Sequence, residues 1–204
     1  MNGLQIAVML VLCPLIALEF RAHSYERKVP SCLILGTKAL LVTVLAVVSF
    51  GVSLIFLHYT FDVPVKGSLV ALFLLIAAFV FAVAGIMVLF ASCSPNDVMS
   101  IELPLLYIMP GLLYSGLSWP DFYMNDLASY IAQIFPMRHA ADSVRDLLLA
   151  GYAPDFASQS LQLVLMGAAA FFLGTGVFAL RRRCGMATLL AIGLGFWKGK
   201  GGKA

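Results

Sequence analysis

Residues 69–90 read LVALFLLIAAFVFAVAGIMVLF, without one charged side chain. As a helix rising ~1.5 Å per residue this run covers ~33 Å, enough to cross a hydrocarbon core of ~30 Å. Inside lipid every backbone N–H and C=O must find its partner within the protein, and a single uninterrupted run meets that demand only as an α-helix. Composition carries the conclusion to the whole chain. Of 204 residues 62% are hydrophobic and 11% charged, and the mean hydropathy is +0.99. Soluble domains hold about 25% charged residues. The expected fold class is therefore an all-α integral membrane protein.

Four more apolar runs accompany the first, giving expected spans at 4–20, 40–57, 69–90, 98–117 and 161–180. Residues 19–38 are a polar connection interrupted by Pro30, and 58–66 a turn with Asp62 and Pro64 as breakers. The arginine triplet Arg181-Arg182-Arg183 is expected to stop the last span. It would leave residues 184–204 as a short cytoplasmic tail, whose glycines weaken a helix. Residues 1–183 then form one transmembrane domain.

Five spans put the termini on opposite sides. Arg21, Arg27, Lys28, Lys38, the arginine triplet, Lys198, Lys200 and Lys203 fall on one side, ten of the thirteen basic residues. Lys66, Arg138 and Arg145 fall on the other. Basic loops stay in the cytoplasm, so the expected N-terminus is outside, the C-terminus inside, and the location the cytoplasmic (inner) membrane.

Between the fourth and fifth spans, residues 110–151 behave differently. Pro110-Gly111 and Ser115-Gly116 interrupt helical regularity, and Pro120 and Pro136 divide the remainder into two short pieces. Leu127, Tyr130, Ile131 and Ile134 form one helical stripe; Met137, Ala140, Ala141, Val144 and Leu148 form another, with Arg138, Asp142, Arg145 and Asp146 opposite. Neither helix approaches the ~20 residues of a span. Residues 120–151 are expected to make a re-entrant or interfacial helical hairpin on the outer face. Arg138–Asp142 and Asp142–Arg145, at i, i+4 and i, i+3, are expected to form a local ion-pair network.

This punctuation resembles the type-2 ABC exporter permeases. The matching residues are Pro110, Leu113, Ser115, Gly116, Pro120, Pro136, Arg145, Leu147, Leu148, Leu149 and Gly151, with a weaker echo in LILGTKAL at 33–40. The resemblance implies a permease subunit that pairs with a second copy or a homologous permease in the lipid bilayer. It also implies a separate ABC ATPase subunit holding ATP and Mg. Arg21, Glu26, Arg27 and Lys28 would face that ATPase, and Glu102, Tyr107, Tyr114 and Trp119 are candidates for the pathway. Relative to the family's usual six spans this chain is expected to lack the first span and external domain. Its 19–38 connection lacks the family's E-x-E-x-G-T pattern, reading Glu19, Glu26 and Arg27 without the Gly-Thr directly after them.

Other chemistry finds little support. No G-x-x-x-x-G-K-[ST] loop exists for ATP, and no H-E-x-x-H. Cys13, Cys32, Cys93 and Cys184 are too dispersed for a disulfide framework or a zinc site and read as packing residues. No metal site and no nucleic-acid partner are expected, and His139 is expected to hydrogen-bond Asp142 at the surface. Glu102 admits two readings: a carboxylate favoured by a helix N-terminus, or a functional intramembrane acid. Pro104, Pro110 and Gly111 mark either a moving bend or a static kink. Gly167, Ala170, Gly174 and Ala179 either admit a close neighbour or reflect composition. The alternatives to a permease are a truncated or accessory membrane protein without transport activity, and an intramembrane enzyme.

Overall fold

The computed structural model describes residues 1–21, 30–62, 66–94, 98–116 and 124–198, with side chains at 20–21 and 182–198 left aside. Every regular element among them is a helix: α1 (Asn2–Arg21), α2 (Ser31–Phe61), α3 (Leu69–Cys93), α4 (Met99–Leu113), α5 (Asp126–Ala132), α6 (Pro136–Leu149) and α7 (Phe156–Lys198). Four of these (α1, α2, α3 and α7) are long and apolar enough to cross a membrane. The all-α membrane architecture expected from hydropathy is present.

Three helices differ from the sequence expectation. α2 begins at Ser31, directly after Pro30, rather than at residue 40. Lys38 therefore lies inside the helix, where its ammonium meets the Glu19 carboxylate at 2.7 Å and the Leu15 carbonyl. A charge so partnered does not end a helix. α7 runs through the arginine triplet to Lys198 instead of stopping at Leu180. Arginine, alanine, leucine and methionine are good helix formers, and positive charge marks the edge of the bilayer without ending the hydrogen-bonded ladder. α4 stops at Leu113, short of residue 117, because Gly116 turns into the left-handed region at φ +84. Its 15 residues reach only ~22 Å, less than a full crossing.

The core is built around α3, which packs on α7, α1, α2, α6 and α4. Its junction with α7 is a close one for a specific reason. A Cβ added to Gly167 would lie 2.8 Å from Ala82 Cα and Phe81 Cδ1, and one on Gly174 would lie 2.8 Å from Leu89 Cα. A Cβ on Gly85 would strike the Gly167 carbonyl. Gly167 and Gly174 are two turns apart on one face, so backbone meets backbone along the crossing. That resolves the small-residue stripe of α7 as a packing surface. Between lipid-exposed helices there is no hydrophobic drive, so this close van der Waals contact supplies the association.

Candidate functional site

The two ends of the bundle are chemically distinct, and each is tied down by identifiable contacts. At one end lies the hairpin. Asn125 opens α5, its Oδ1 accepting the Asp126 N–H at 2.7 Å. Pro136 occupies the first turn of α6, where a missing N–H costs nothing. Phe135 between them is a wedge: its ring lies against Gly111, where an added Cβ would come within 2.9 Å of Cδ1. Tyr107 and Tyr114 flank the same ring, at centroid separations of 5.0 and 6.1 Å, and Phe90 extends the cluster to Tyr107 at 5.4 Å. The Tyr107 hydroxyl also donates to the Ile134 carbonyl at 2.7 Å. α4 thus holds the hairpin turn by stacking and by one hydrogen bond.

α6 then lies over the body with Met137, Ala140, Ala141 and Val144 buried, as its stripe predicts; Leu147 is buried as well, while the expected Leu148 is half-buried. It ends on Gly151, φ +84, whose N–H donates to the Asp146 carbonyl at 2.9 Å. Here the hairpin meets the α2–α3 turn. The Lys66 N–H donates to the Leu148 carbonyl at 3.1 Å, and Gly67 lies against the Leu147 carbonyl with no room for a side chain. Both turns therefore sit at one end of the bundle. α5 is the reverse of α6: Leu127, Tyr130, Ile131 and Ile134 are all exposed.

A polar cavity of about 360 Å³ opens between α6 and the start of α7, a volume in the range of small-molecule sites. Gln133, Arg138, His139, Asp142, Asp146 and Gln159 are among its walls. His139 bridges the two helices. Its Nε2 lies 3.0 Å from the Gln133 carbonyl and its Nδ1 2.9 Å from Gln159 Oε1, so its partners are glutamines rather than the expected Asp142. Asp142 instead meets Arg145 at 3.3 Å, with Asp146 at 3.9 Å from the same guanidinium.

At the opposite end sit the Glu19–Lys38 pair and Arg181. Arg181 is buried, and its Nη1 donates to the carbonyls of Ser92 at 3.2 Å and Ser94 at 2.6 Å. These carbonyls close the last turn of α3, and they attract a cation through both hydrogen bonding and the helix dipole. In the sequence, Arg181 reads only as a stop signal. Ser94 Oγ in turn reaches the Met99 carbonyl at 3.3 Å, linking α3 to the start of α4.

The expected site residues divide accordingly. Pro110, Ser115, Gly116, Pro136, Arg145 and Gly151 are at the hairpin end, although α4 passes through Pro104 and Pro110 without unwinding. Ser115 is fully buried, its hydroxyl donating to the Leu112 carbonyl at 2.7 Å. Tyr107 and Tyr114 are together against Phe135. Glu102 stands apart from them, exposed in the first turn of α4 near the basic end. Pro120, Trp119, Glu26, Arg27 and Lys28 lie outside the described residues, as does the side chain of Arg21. Cys13 is buried, with Cys32 and Cys93 exposed. Phe135, Gly67 and Gly85 were not among the expected positions. A lone aromatic before a proline and single glycines in apolar runs give no signal of their partners.

The described helices form a multi-span bundle with a short helical hairpin folded over one end, and comparison with known proteins supplies the family. The family model described as "ABC-2 family transporter protein" matches residues 6–175, and the chain belongs to that family. It is also similar to ABC transporter G family member 20 of Dictyostelium discoideum, 28% identical over 107 residues. That stretch is 52% of this chain and 15% of the relative, so the chain spans a small part of that protein's length. No solved structure matches.

Proposed function

We propose that this chain is the permease subunit of an ATP-driven exporter in the cytoplasmic membrane, working as a dimer with a second copy or a homologous permease. The family match across residues 6–175 carries the reading. A separate ATPase, holding ATP and Mg, docks beneath the 19–38 connection through Arg21, Glu26, Arg27 and Lys28. The basic end bearing Lys38 and Arg181 faces the cytoplasm, and the hairpin closes the path on the outer side.

The geometry supports a mechanical role for the two ends. Arg181 ties α7 to the α3–α4 connection, and Lys38 ties α2 to α1, so displacement at the ATPase face reaches the long helices through fixed contacts. At the far end Phe135 and Tyr107 hold the hairpin to α4. Shifting α4 relative to α3 therefore moves the hairpin; Glu102 and Tyr107 on α4, Tyr114 at its end and Trp119, outside the described residues, are the pathway residues of this reading.

The test is a pull-down from native membranes. An ATPase carrying a phosphate-binding loop is expected to co-purify, and Arg27→Glu with Lys28→Glu is expected to abolish the association. Recovery of the ATPase undiminished with the double variant removes the coupling assignment; no ATPase at all removes the exporter reading.

A further inference from the structure

Two buried polar atoms near the start of α1 are left without partners. Among the described residues, Asn2 Oδ1 and Gln5 Nε2 are enclosed and reach no hydrogen-bonding group. The contrast is with Ser92 and Ser94, which return their hydroxyls to the carbonyls four residues back, each at 2.7 Å. An unpaired buried amide is unfavourable, and each such group in a folded protein calls for a partner.

Gln5 lies within the membrane, not at its edge. The Cys13 thiol donates to the Met87 carbonyl at 3.9 Å, which sets the register of α1 against α3. Both helices start at the hairpin end. Met87 is ~27 Å along α3 from Leu69, and Gln5 is ~12 Å nearer the hairpin end than Cys13. The Gln5 amide therefore sits about 15 Å inside the start of α3, where lipid offers no hydrogen bond.

Asn2 and Gln5 are three residues apart, on one face of α1. One offers an oxygen acceptor and the other an N–H donor, yet they do not bond each other. Turning either amide over exchanges its donor for its acceptor and leaves a polar atom unpaired as before. Both therefore need a small group that donates and accepts at once. Gln5 is 2% exposed, and Val8, Met9 and Leu12 beside it are as well covered, so nothing large reaches the amide.

We propose that Asn2 and Gln5 hold one buried water molecule inside the hairpin half of the bundle. The water accepts an N–H of Gln5 and donates to Asn2 Oδ1, and two such bonds are the fewest a buried water keeps. Its presence does not depend on whether the chain exports anything.

The test uses the full chain in phosphatidylcholine nanodiscs with nitrogen-labelled glutamine, the Gln5 side-chain signal being assigned by its loss in Gln5→Met. In water-edited solid-state NMR that amide is expected to receive magnetisation from water, although protein encloses it. Asn2→Leu removes one anchor and is expected to cut the transfer about fivefold. Denaturant titration adds an independent sign. Methionine matches glutamine in length and volume, so Gln5→Met keeps the packing and strands the Asn2 oxygen; its unfolding constant is expected to rise about fivefold. No water transfer to Gln5 in the unmodified chain, undiminished transfer in Asn2→Leu, or a Gln5→Met variant at least as stable as the unmodified chain overturns the site.

Discussion

α2 and α3 have similar mean hydropathies of 2.7 and 3.0, yet 17% of the apolar window of α2 is buried within the protein against 67% for α3. Hydropathy tells each helix to be in the membrane; it does not say what lies beside it. α3 presents Ala82, Gly85 and the Leu89 backbone to the glycines of α7, so two backbones approach and the surrounding large side chains are covered. α2 presents Leu41, Val44, Leu45, Val48, Val52 and Ile55 outward, a surface that lipid or another helix covers equally well. The difference rests on shape, since in lipid burial against another helix brings no hydrophobic gain and only close packing favours it.

Substitutions that add or remove volume separate the two helices. Gly167→Leu drives a side chain into the Ala82 backbone, and is expected to cost about 3 kcal/mol or more and to remove most folded protein. Denaturant titration in micelles reads this directly. Arg181→Ala leaves the Ser92 and Ser94 carbonyls without their buried donor, an expected loss of about 2–3 kcal/mol in the same titration. Arg181→Lys, which keeps the charge but not the fork, is expected to recover part of it.

The hairpin contacts are expected to yield smaller, localised effects. Gly111→Val displaces the Phe135 ring and costs about 1–2 kcal/mol, seen as faster hydrogen exchange across α5 and the turn while α3 stays protected. Tyr107→Phe removes one hydrogen bond to Ile134, about 1 kcal/mol, with the same local signature. At the far end of the scale, Leu45→Ala on α2 is expected to change stability by no more than about 0.5 kcal/mol in monomeric protein. A larger effect that depends on protein concentration would show that a second copy covers α2.

Sequence patterning revealed four of the five expected spans, all but α4, because an unbroken apolar run has few physical solutions in a bilayer. It also revealed the hairpin, since Pro136, Gly151 and the Met137–Ala140–Ala141–Val144 stripe act locally. The features it missed depend on partners distant in the chain. Lys38 looks like a loop residue until Glu19 is placed beside it, and Arg181 looks like a terminator until the end of α3 meets it. The α5 stripe is recognisable as a stripe, but nothing in Leu127 or Tyr130 shows that it faces away from the body. The cavity lies beyond sequence reading for the same reason: Gln133, Ser143 and Gln159 acquire meaning only when two helices and a turn bring them together.

The orientation of the two ends underlies the whole functional account, and cysteine accessibility in intact cells tests it most directly. Cys32 stands exposed near the start of α2, at the end bearing Lys38, while Ser129 on α5 and Ser68 before α3 are exposed at the hairpin end. In a background without the other native cysteines, a membrane-impermeant maleimide is expected to label Ser129→Cys and Ser68→Cys from outside. Cys32 is expected to react only after the membrane is opened. Labelling of Cys32 from outside, or opposite behaviour of the Ser129 and Ser68 positions, would contradict an outer hairpin above a cytoplasmic basic face.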